Sequence, residues 1–441
     1  MLSTLKRRLA GHRLATQLAT VGLVAFAFGG CAGTALENLG LLMLVVAFAL
    51  NPPVAWRELL RQPMTWLLVL FLGYLALRTI WAMREFPESA PEQAAAASSW
   101  AGLWLFIFVA RWLDVRRIPF VLGVALAGFF VGILAHQTWN DLLLVPDRIR
   151  SGFGYGIPQA GLLSAAVVVG LAAFAPRWWG GARNLWLVPA WISVWGVVLA
   201  FAAEVLLITQ SRISWMAAAL VGPPVAWLVI RHMPVRSRMH TLLAIASIGG
   251  LVLLANRDII SHRLQQSAES MDVVSTRQVR GDVAKDPFAI RAQLVRHGIE
   301  RWLERPLFGW GPGTQVAPSA ESLSVRMKHL HNTYLELLAR LGLVGASFFA
   351  VGLWIVARAA WKAYQEDRLA LDHFVFLVGA FSVLAIWCTA NFRFTSEVRF
   401  LIVLLSAIAY CVVFRHPLPR PLSAAEPDGA GDAPAPLARG D

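Results

Sequence analysis

Residues 118–137 read IPFVLGVALAGFFVGILAHQ, a run that contains no Lys, Arg, Asp or Glu. A helix of about 20 apolar residues is long enough to cross the hydrocarbon core of a bilayer. Similar runs recur along the chain and are separated by short polar segments. They predict an all-α polytopic membrane protein with about twelve transmembrane helices, at 15–31, 34–51, 63–83, 99–111, 118–137, 158–176, 185–205, 213–230, 240–255, 335–357, 371–391 and 398–414.

The composition agrees with this class. Of 441 residues, 57% are hydrophobic and 15% are charged, whereas soluble domains have about 45–50% apolar and about 25% charged residues. The three cysteines lie far apart and form neither a disulfide framework nor a CxxC pair. The net charge is +13, but no Lys/Arg-rich run is joined to a soluble fold. A nucleic-acid partner is therefore not expected, and the lipid bilayer and an anionic lipid-linked substrate remain.

The short loops predict the orientation. With the N-terminus in the cytoplasm, the inner segments carry 20 Lys and Arg residues and the short outer segments carry 7. The positive-inside rule then places both termini in the cytoplasm. The predicted division is 1–255 for transmembrane helices 1–9, 256–334 for one large outer loop, 335–414 for helices 10–12 and 415–441 for a disordered tail.

The loop of residues 256–334 is the exception to the apolar pattern. It holds 11 Lys or Arg and 8 Asp or Glu residues, and loops of this length are usually functional or disordered. Within it, residues 289–305 (AIRAQLVRHGIERWLER) repeat apolar residues every three to four positions. This spacing predicts an amphipathic helix that ends before Pro306, followed by a turn over 308–313.

Several arginines lie near the outer ends of the predicted spans. Arginine at such a position is costly and is by default a candidate for function. Arg212 is the clearest, because it lies in a short polar break, TQSRISW at 209–215, between two apolar runs. The alternative is an arginine that extends its head group to the membrane surface from a tight turn. The other members of this group are Arg78, Arg150 and Arg393.

His331 precedes the predicted tenth span. Thr333 and Glu336 have the spacing of a capping box, with Thr333 as the N-cap. A helix N-terminus attracts phosphate, and histidine is suited to acid–base catalysis near neutral pH. An ordinary loop histidine remains the alternative. Gly342 and Gly345, inside the span, are expected to let another helix approach closely.

Other motifs are missing from the sequence. No Walker A stretch occurs, and the run 309–313 is a poor phosphate cradle because Pro312 has no N–H. No D-x-D or H-x-x-x-H ligand pair lies in the outer segments. We therefore expect no ATP, no bound metal and no cofactor.

Together, these motifs resemble those of bacterial O-antigen ligases. His331-Asn332, nine residues and then Gly342-Leu343-Val344-Gly345 resembles the pattern H-[NSR]-x9-G-x-x-[GTY]. The resemblance covers about residues 140–410 and extends to the wider superfamily of O-antigen ligases, O-antigen polymerases and protein O-oligosaccharyltransferases. Three further elements match: Arg291 with PLFGWGPG at 306–313, Gln210-Ser211-Arg212, and, more weakly because Gln159 replaces the usual Asn, Arg150-Ser151-Gly152 with Pro158.

The resemblance implies a metal-independent, inverting glycosyltransferase of the bacterial inner membrane. It would move O-antigen polysaccharide from undecaprenyl diphosphate to a sugar hydroxyl of lipid A–core, at the periplasmic face. His331 would be the general base, and arginines would hold the diphosphate. The expected catalytic residues are His331, Arg212 and Arg291, and the expected substrate-binding residues are Arg150, Asn332, Arg148 and Gln210.

Other activities remain open at this point. An O-antigen polymerase uses the same donor with a lipid-linked acceptor, and a protein O-oligosaccharyltransferase uses a protein acceptor. A transporter of lipid-linked sugars is a third alternative. Transporter folds often contain internal repeats with broken helices in matching positions, and the Gly222-Pro223-Pro224 break has no counterpart in the other half of the sequence.

Overall fold

The computed structural model describes residues 2–50, 57–135, 151–180, 188–233, 235–275, 287–317, 329–392 and 396–414. These residues form helices joined by turns, and no strand occurs among them. The helices are α1 Leu2–Ala32, α2 Thr34–Ala49, α3 Pro63–Glu85, α4 Ala90–Gly102, α5 Phe106–Trp112, α6 Ile118–Ala135, α7 Ile157–Gly180, α8 Val188–Ile208, α9 Arg212–Ile230, α10 Val235–Ala255, α11 Arg257–Ser275, α12 Pro287–Glu304, α13 Thr333–Gln365, α14 Leu371–Cys388 and α15 Ser396–Phe414.

Eleven helical segments within the described ranges are long and apolar enough to cross a membrane, and Thr34–Ala49 is a shorter apolar helix. Each coincides with one of the twelve predicted segments. The predicted all-α polytopic class is therefore confirmed. The fourth segment extends over Pro87–Trp112 and is built from several helical pieces. Helical backbone satisfies its own hydrogen bonds, which a lipid environment requires.

Small residues determine where the spans approach one another. A Cβ on Gly40 of α2 would overlap with the backbone of Phe26 in α1. Gly161 of α7 lies against Ser214 of α9, and Gly379 of α14 lies against Val225 of α9. Small side chains at such contacts allow close van der Waals packing, which is a main source of helix association in membranes. Helices α7, α9 and α14 thus form one tightly packed group.

Two helices, α11 and α12, lie in the predicted outer loop. The predicted amphipathic helix is present as α12, which ends at Glu304, two residues before Pro306. Its apolar face is anchored by Leu294, which is fully buried together with Val316, Leu330 and Ala339. This small core fixes α12 on the first turns of α13.

Helix α13 is broken at Gly342, where φ is +65° and ψ is −173°. Residues 306–313, which we call the docked turn, lie in this break. Four backbone hydrogen bonds join the two segments: Leu343 N–Pro306 O (2.8 Å), Val344 N–Leu307 O (3.1 Å), Trp310 N–Ala339 O (2.9 Å) and Gly311 N–Arg340 O (2.9 Å). A Cβ on Gly342 would overlap with the backbone of Leu307, so glycine is required here.

This arrangement corrects one expectation. The backbone that approaches Gly342 belongs to a loop, not to another helix. Gly345 behaves as expected, because it faces Tyr74 of the neighbouring helix α3. The glycine-rich run 309–313 contributes to the docked turn.

Candidate active site

His331 lies in the turn directly before α13 and has a positive φ of 53°. A left-handed conformation costs a non-glycine residue about 1–2 kcal/mol. It persists only where the surrounding contacts impose it, and such residues cluster at functional sites.

The N-cap of α13 is Asn332, not Thr333. The Asn332 Oδ1 accepts hydrogen bonds from the backbone N–H groups of Tyr334 (3.0 Å) and Leu335 (3.1 Å). Thr333 and Glu336 consequently do not form the predicted capping box. Asparagine and threonine are both good N-caps. The choice depends on the Thr333 hydroxyl, which donates instead to the carbonyl of Asn391 (2.6 Å).

The same turn is tied to the end of α14. The Asn332 Nδ2 donates to the carbonyl of Thr389 (3.1 Å), and the Thr333 hydroxyl reaches Asn391. Asn332 thus uses its oxygen for the helix start and its nitrogen for the neighbouring span. These contacts hold the residues that follow His331 in the chain.

A buried ion pair holds the residues before His331. Glu336 is fully buried; one of its carboxylate oxygens accepts from the backbone N–H of Leu330 (2.6 Å), and the other pairs with Arg340. Arg340 also donates to the carbonyl of Pro312 (2.9 Å). The pair therefore joins the residue preceding His331 to the end of the docked turn. Hydrogen bonds to charged groups are the stronger ones.

His331 is partly buried beside Arg291 of α12. The pKa of His331 lies below the ordinary histidine value, mainly because of burial and to a smaller extent because of the positive charge of Arg291. At neutral pH the imidazole is therefore uncharged, which is the form that accepts a proton. These two predicted catalytic residues therefore interact electrostatically.

Arg212 and Gln210 lie in a second cluster, at the break between α8 and α9. Arg212 is the first residue of α9, and Gln210 has a positive φ of 49°. The Gln210 Oε1 accepts two hydrogen bonds from Arg263 of α11, at 2.8 and 2.6 Å. Arg263 was not predicted, because nothing in the sequence distinguishes it from the other arginines of the loop. Its contact depends on how α11 folds back onto the bundle.

Both clusters lie at the same end of the helix bundle. The Trp387 Nε1, near the end of α14, donates to the carbonyl of Pro158 at the start of α7 (2.8 Å). Gly161, one turn further along α7, contacts Ser211 and Ser214 beside Arg212. The end of α14 in turn holds the His331 turn through the carbonyl of Thr389.

The remaining predicted arginines have different outcomes. Arg148, Arg150 and Arg393 lie outside the described residues. Arg78 of α3 is buried and donates to the carbonyls of Phe308 (2.9 Å) and Gly309 (2.8 Å). It therefore supports the docked turn. Within the described ranges, no group of three or more His, Cys, Asp or Glu residues could hold a metal ion.

The comparisons with known proteins agree with this geometry. A family model described as O-antigen ligase matches residues 195–350. No curated protein matches the chain. The matched segment includes Arg212, Arg291, His331 and Gly342, so it contains both clusters and the helix break. Residues 195–350 are therefore similar to the O-antigen ligase family, and this segment is about a third of the chain.

Proposed function

We propose that the protein is an O-antigen ligase, which transfers polysaccharide from undecaprenyl diphosphate to a sugar hydroxyl of lipid A–core. The family match supports a glycosyltransferase-like enzyme that acts on lipid-linked sugars. The observation that carries the proposal is the uncharged His331 held in a strained turn beside Arg291. The positive-inside count supports a periplasmic site in the inner membrane.

His331 acts as the general base. A sugar hydroxyl has a high pKa and needs a base within hydrogen-bond reach as it attacks. The imidazole takes the hydroxyl proton while the oxygen bonds to the anomeric carbon and the diphosphate leaves from the opposite face. The configuration at that carbon is inverted. General-base assistance of this kind contributes about 10²–10⁴ in rate.

Arginines hold the departing diphosphate. Its charge develops on phosphate oxygens, so no general acid is needed, and the guanidinium fork matches phosphate geometry. Arg291 lies beside the base, and Arg212 lies at the helix N-terminus of α9, where the dipole also favours an anion. Arg263, oriented by Gln210, adds a third guanidinium. Arg148 and Arg150 belong to the same proposed group, and Asn332 positions the turn.

The identity of the acceptor distinguishes a ligase from a polymerase or a protein O-oligosaccharyltransferase. In a deletion strain, a ligase defect leaves bare lipid A–core and long polymer on undecaprenyl diphosphate. A single repeat on the core would instead indicate a polymerase, and an unchanged lipopolysaccharide ladder would indicate protein glycosylation or transport. The readout is a lipopolysaccharide gel after complementation with the wild-type chain.

Variants test the proposed chemistry in the same strain. His331→Ala is expected to lower ligation by about 10²–10⁴, and Arg212→Lys by at least about tenfold through the loss of the fork geometry. His262→Ala is the matched control, because His262 is an exposed histidine of α11. Wild-type ligation by purified His331→Ala protein would exclude His331 as the base.

A further inference from the structure

A cavity of about 500 Å³ lies between α3 and the docked turn. Its apolar wall is formed by Leu77, Trp81, Leu307 and Phe308. These side chains are between 54% and 72% exposed outside a membrane. Leu77 and Trp81 belong to a helix that is long and apolar enough to cross a membrane, so the cavity would be open to apolar chains from the side.

The polar end of the cavity is cationic. Among the described residues, Arg78 and Arg305 line it and no Asp or Glu does. Arg305 is paired with Glu85, which leaves one positive charge among these three residues. Arg78 uses Nε and Nη2 for the carbonyls of Phe308 and Gly309. Within the described part of the chain, its Nη1 donates to no protein acceptor.

We propose that this cavity is the binding site for the phosphorylated lipid anchor of the acceptor. An arginine at the end of an apolar pocket fits a phosphate that is attached to acyl chains. The proposal rests on the proposed ligase function, because that function requires an acylated, phosphorylated sugar lipid as acceptor. In this assignment, Arg78, Arg305 and the apolar wall bind the acceptor's anchor. They are separate from the arginines proposed to hold the donor.

The position relative to His331 agrees with this assignment. The docked turn contacts α13 at Gly342, nine residues beyond Thr333. At 1.5 Å per residue, the cavity lies about 14 Å along the helix axis from the turn that holds the base. An acceptor bound by its phosphate would thus have its outer sugars, not its anchor, at His331.

A second cavity is a weaker candidate for an anionic lipid. It measures about 520 Å³ and lies between α6, α7 and α15, with Arg177 as its only charged lining residue among those described. The Arg177 guanidinium pairs with Asp372 and also contacts the ring of His373. Its charge is therefore already compensated within the protein.

The test fills the cavity without adding charge. Leu77→Trp places a larger side chain in it, and Leu70→Trp is the matched control on the same exposed face of α3, two turns away. Transfer by the purified full-length protein is measured at varied acceptor concentration with saturating donor, and then at varied donor concentration with saturating acceptor. Excluding about two methylene groups corresponds to an increase of about tenfold in the acceptor KM. We expect this increase in Leu77→Trp only, with an unchanged donor KM.

A binding measurement separates this inference from the proposed function. Radiolabelled acceptor lipid, intact or with its phosphates removed, is titrated onto the wild-type protein in detergent micelles. Tight binding only of the phosphorylated lipid, weakened by Leu77→Trp, supports the site even in a preparation without transferase activity. Equal binding of both lipids, equal effects of the two variants, or an increase in the donor KM alone would overturn the assignment.

Discussion

Replacing Glu336 with Gln removes the counter-charge of a buried arginine and leaves the shape of the side chain almost unchanged. Glu336 is fully buried and the Arg340 side chain is 8% exposed. Breaking such a pair by removing one partner costs about 3–5 kcal/mol. Arg340 retains its hydrogen bond to Pro312 (2.9 Å) and its position over the Phe392 ring (5.2 Å). We therefore expect a loss near the lower limit, about 3 kcal/mol of unfolding free energy.

The assay is equilibrium unfolding of the purified protein in mixed SDS micelles, followed by tryptophan fluorescence. The chain offers a matched control in Glu300→Gln, because Arg296 and Glu300 form an exposed i,i+4 pair with side chains 85% and 55% exposed. Exposed pairs of this kind contribute at most about 1 kcal/mol. If Glu336→Gln unfolded at the same midpoint as Glu300→Gln, the buried pair would not stabilise the start of α13.

A double variant separates stability from positioning. Glu336→Leu with Arg340→Met replaces the pair by apolar side chains of similar volume, a change that is often neutral or stabilising. We expect the unfolding free energy to recover. We expect transfer to be lower than in the wild-type protein, because the N–H of Leu330 then has no carboxylate acceptor. Full recovery of transfer would contradict the role of Glu336 in holding the His331 turn.

Three further outcomes follow from the same contacts. Gly342→Ala is expected to destabilise the protein by more than about 1–2 kcal/mol in the unfolding assay, since a positive φ and the backbone of the docked turn both oppose a Cβ. The pH profile of kcat/KM should rise through a pKa below 6.5 and level off by neutral pH, because only uncharged His331 accepts the proton and its pKa is lowered. Arg291→Gln removes a nearby positive charge, so the pKa of His331 and the rise of kcat/KM should both move to higher pH. An unchanged profile would show that Arg291 does not influence the pKa of His331. Gln210→Ala and Arg263→Ala should each slow transfer by about tenfold, and the double variant should be no slower than either, as expected for one interacting pair.

The candidate site was predicted in part. His331 and Arg291 were singled out because both belong to motifs that can be recognised in a single segment of chain, and their roles stay a prediction; the folded chain places them within electrostatic range of each other. Arg263 was missed, since its partner Gln210 lies 53 residues earlier and the contact exists only after α11 folds back. Arg78 was identified as unusual, but its partners are carbonyls of the docked turn, which no local pattern indicates.

By itself, the sequence determined the all-α membrane class and the places of the twelve apolar helices. The physical reason is that a bilayer imposes one constraint on each segment separately: enough apolar residues to span it, with every backbone group bonded within the helix. Only the tertiary structure decided that Asn332 caps α13, that the helix breaks at Gly342 and that Glu336 holds the turn before His331. The cap and the helix break depend on partners from distant parts of the chain, Asn391 and the docked turn, because several local choices have nearly the same energy and the contact selects one. Glu336 bonds to Leu330, only six residues earlier, once the turn has folded.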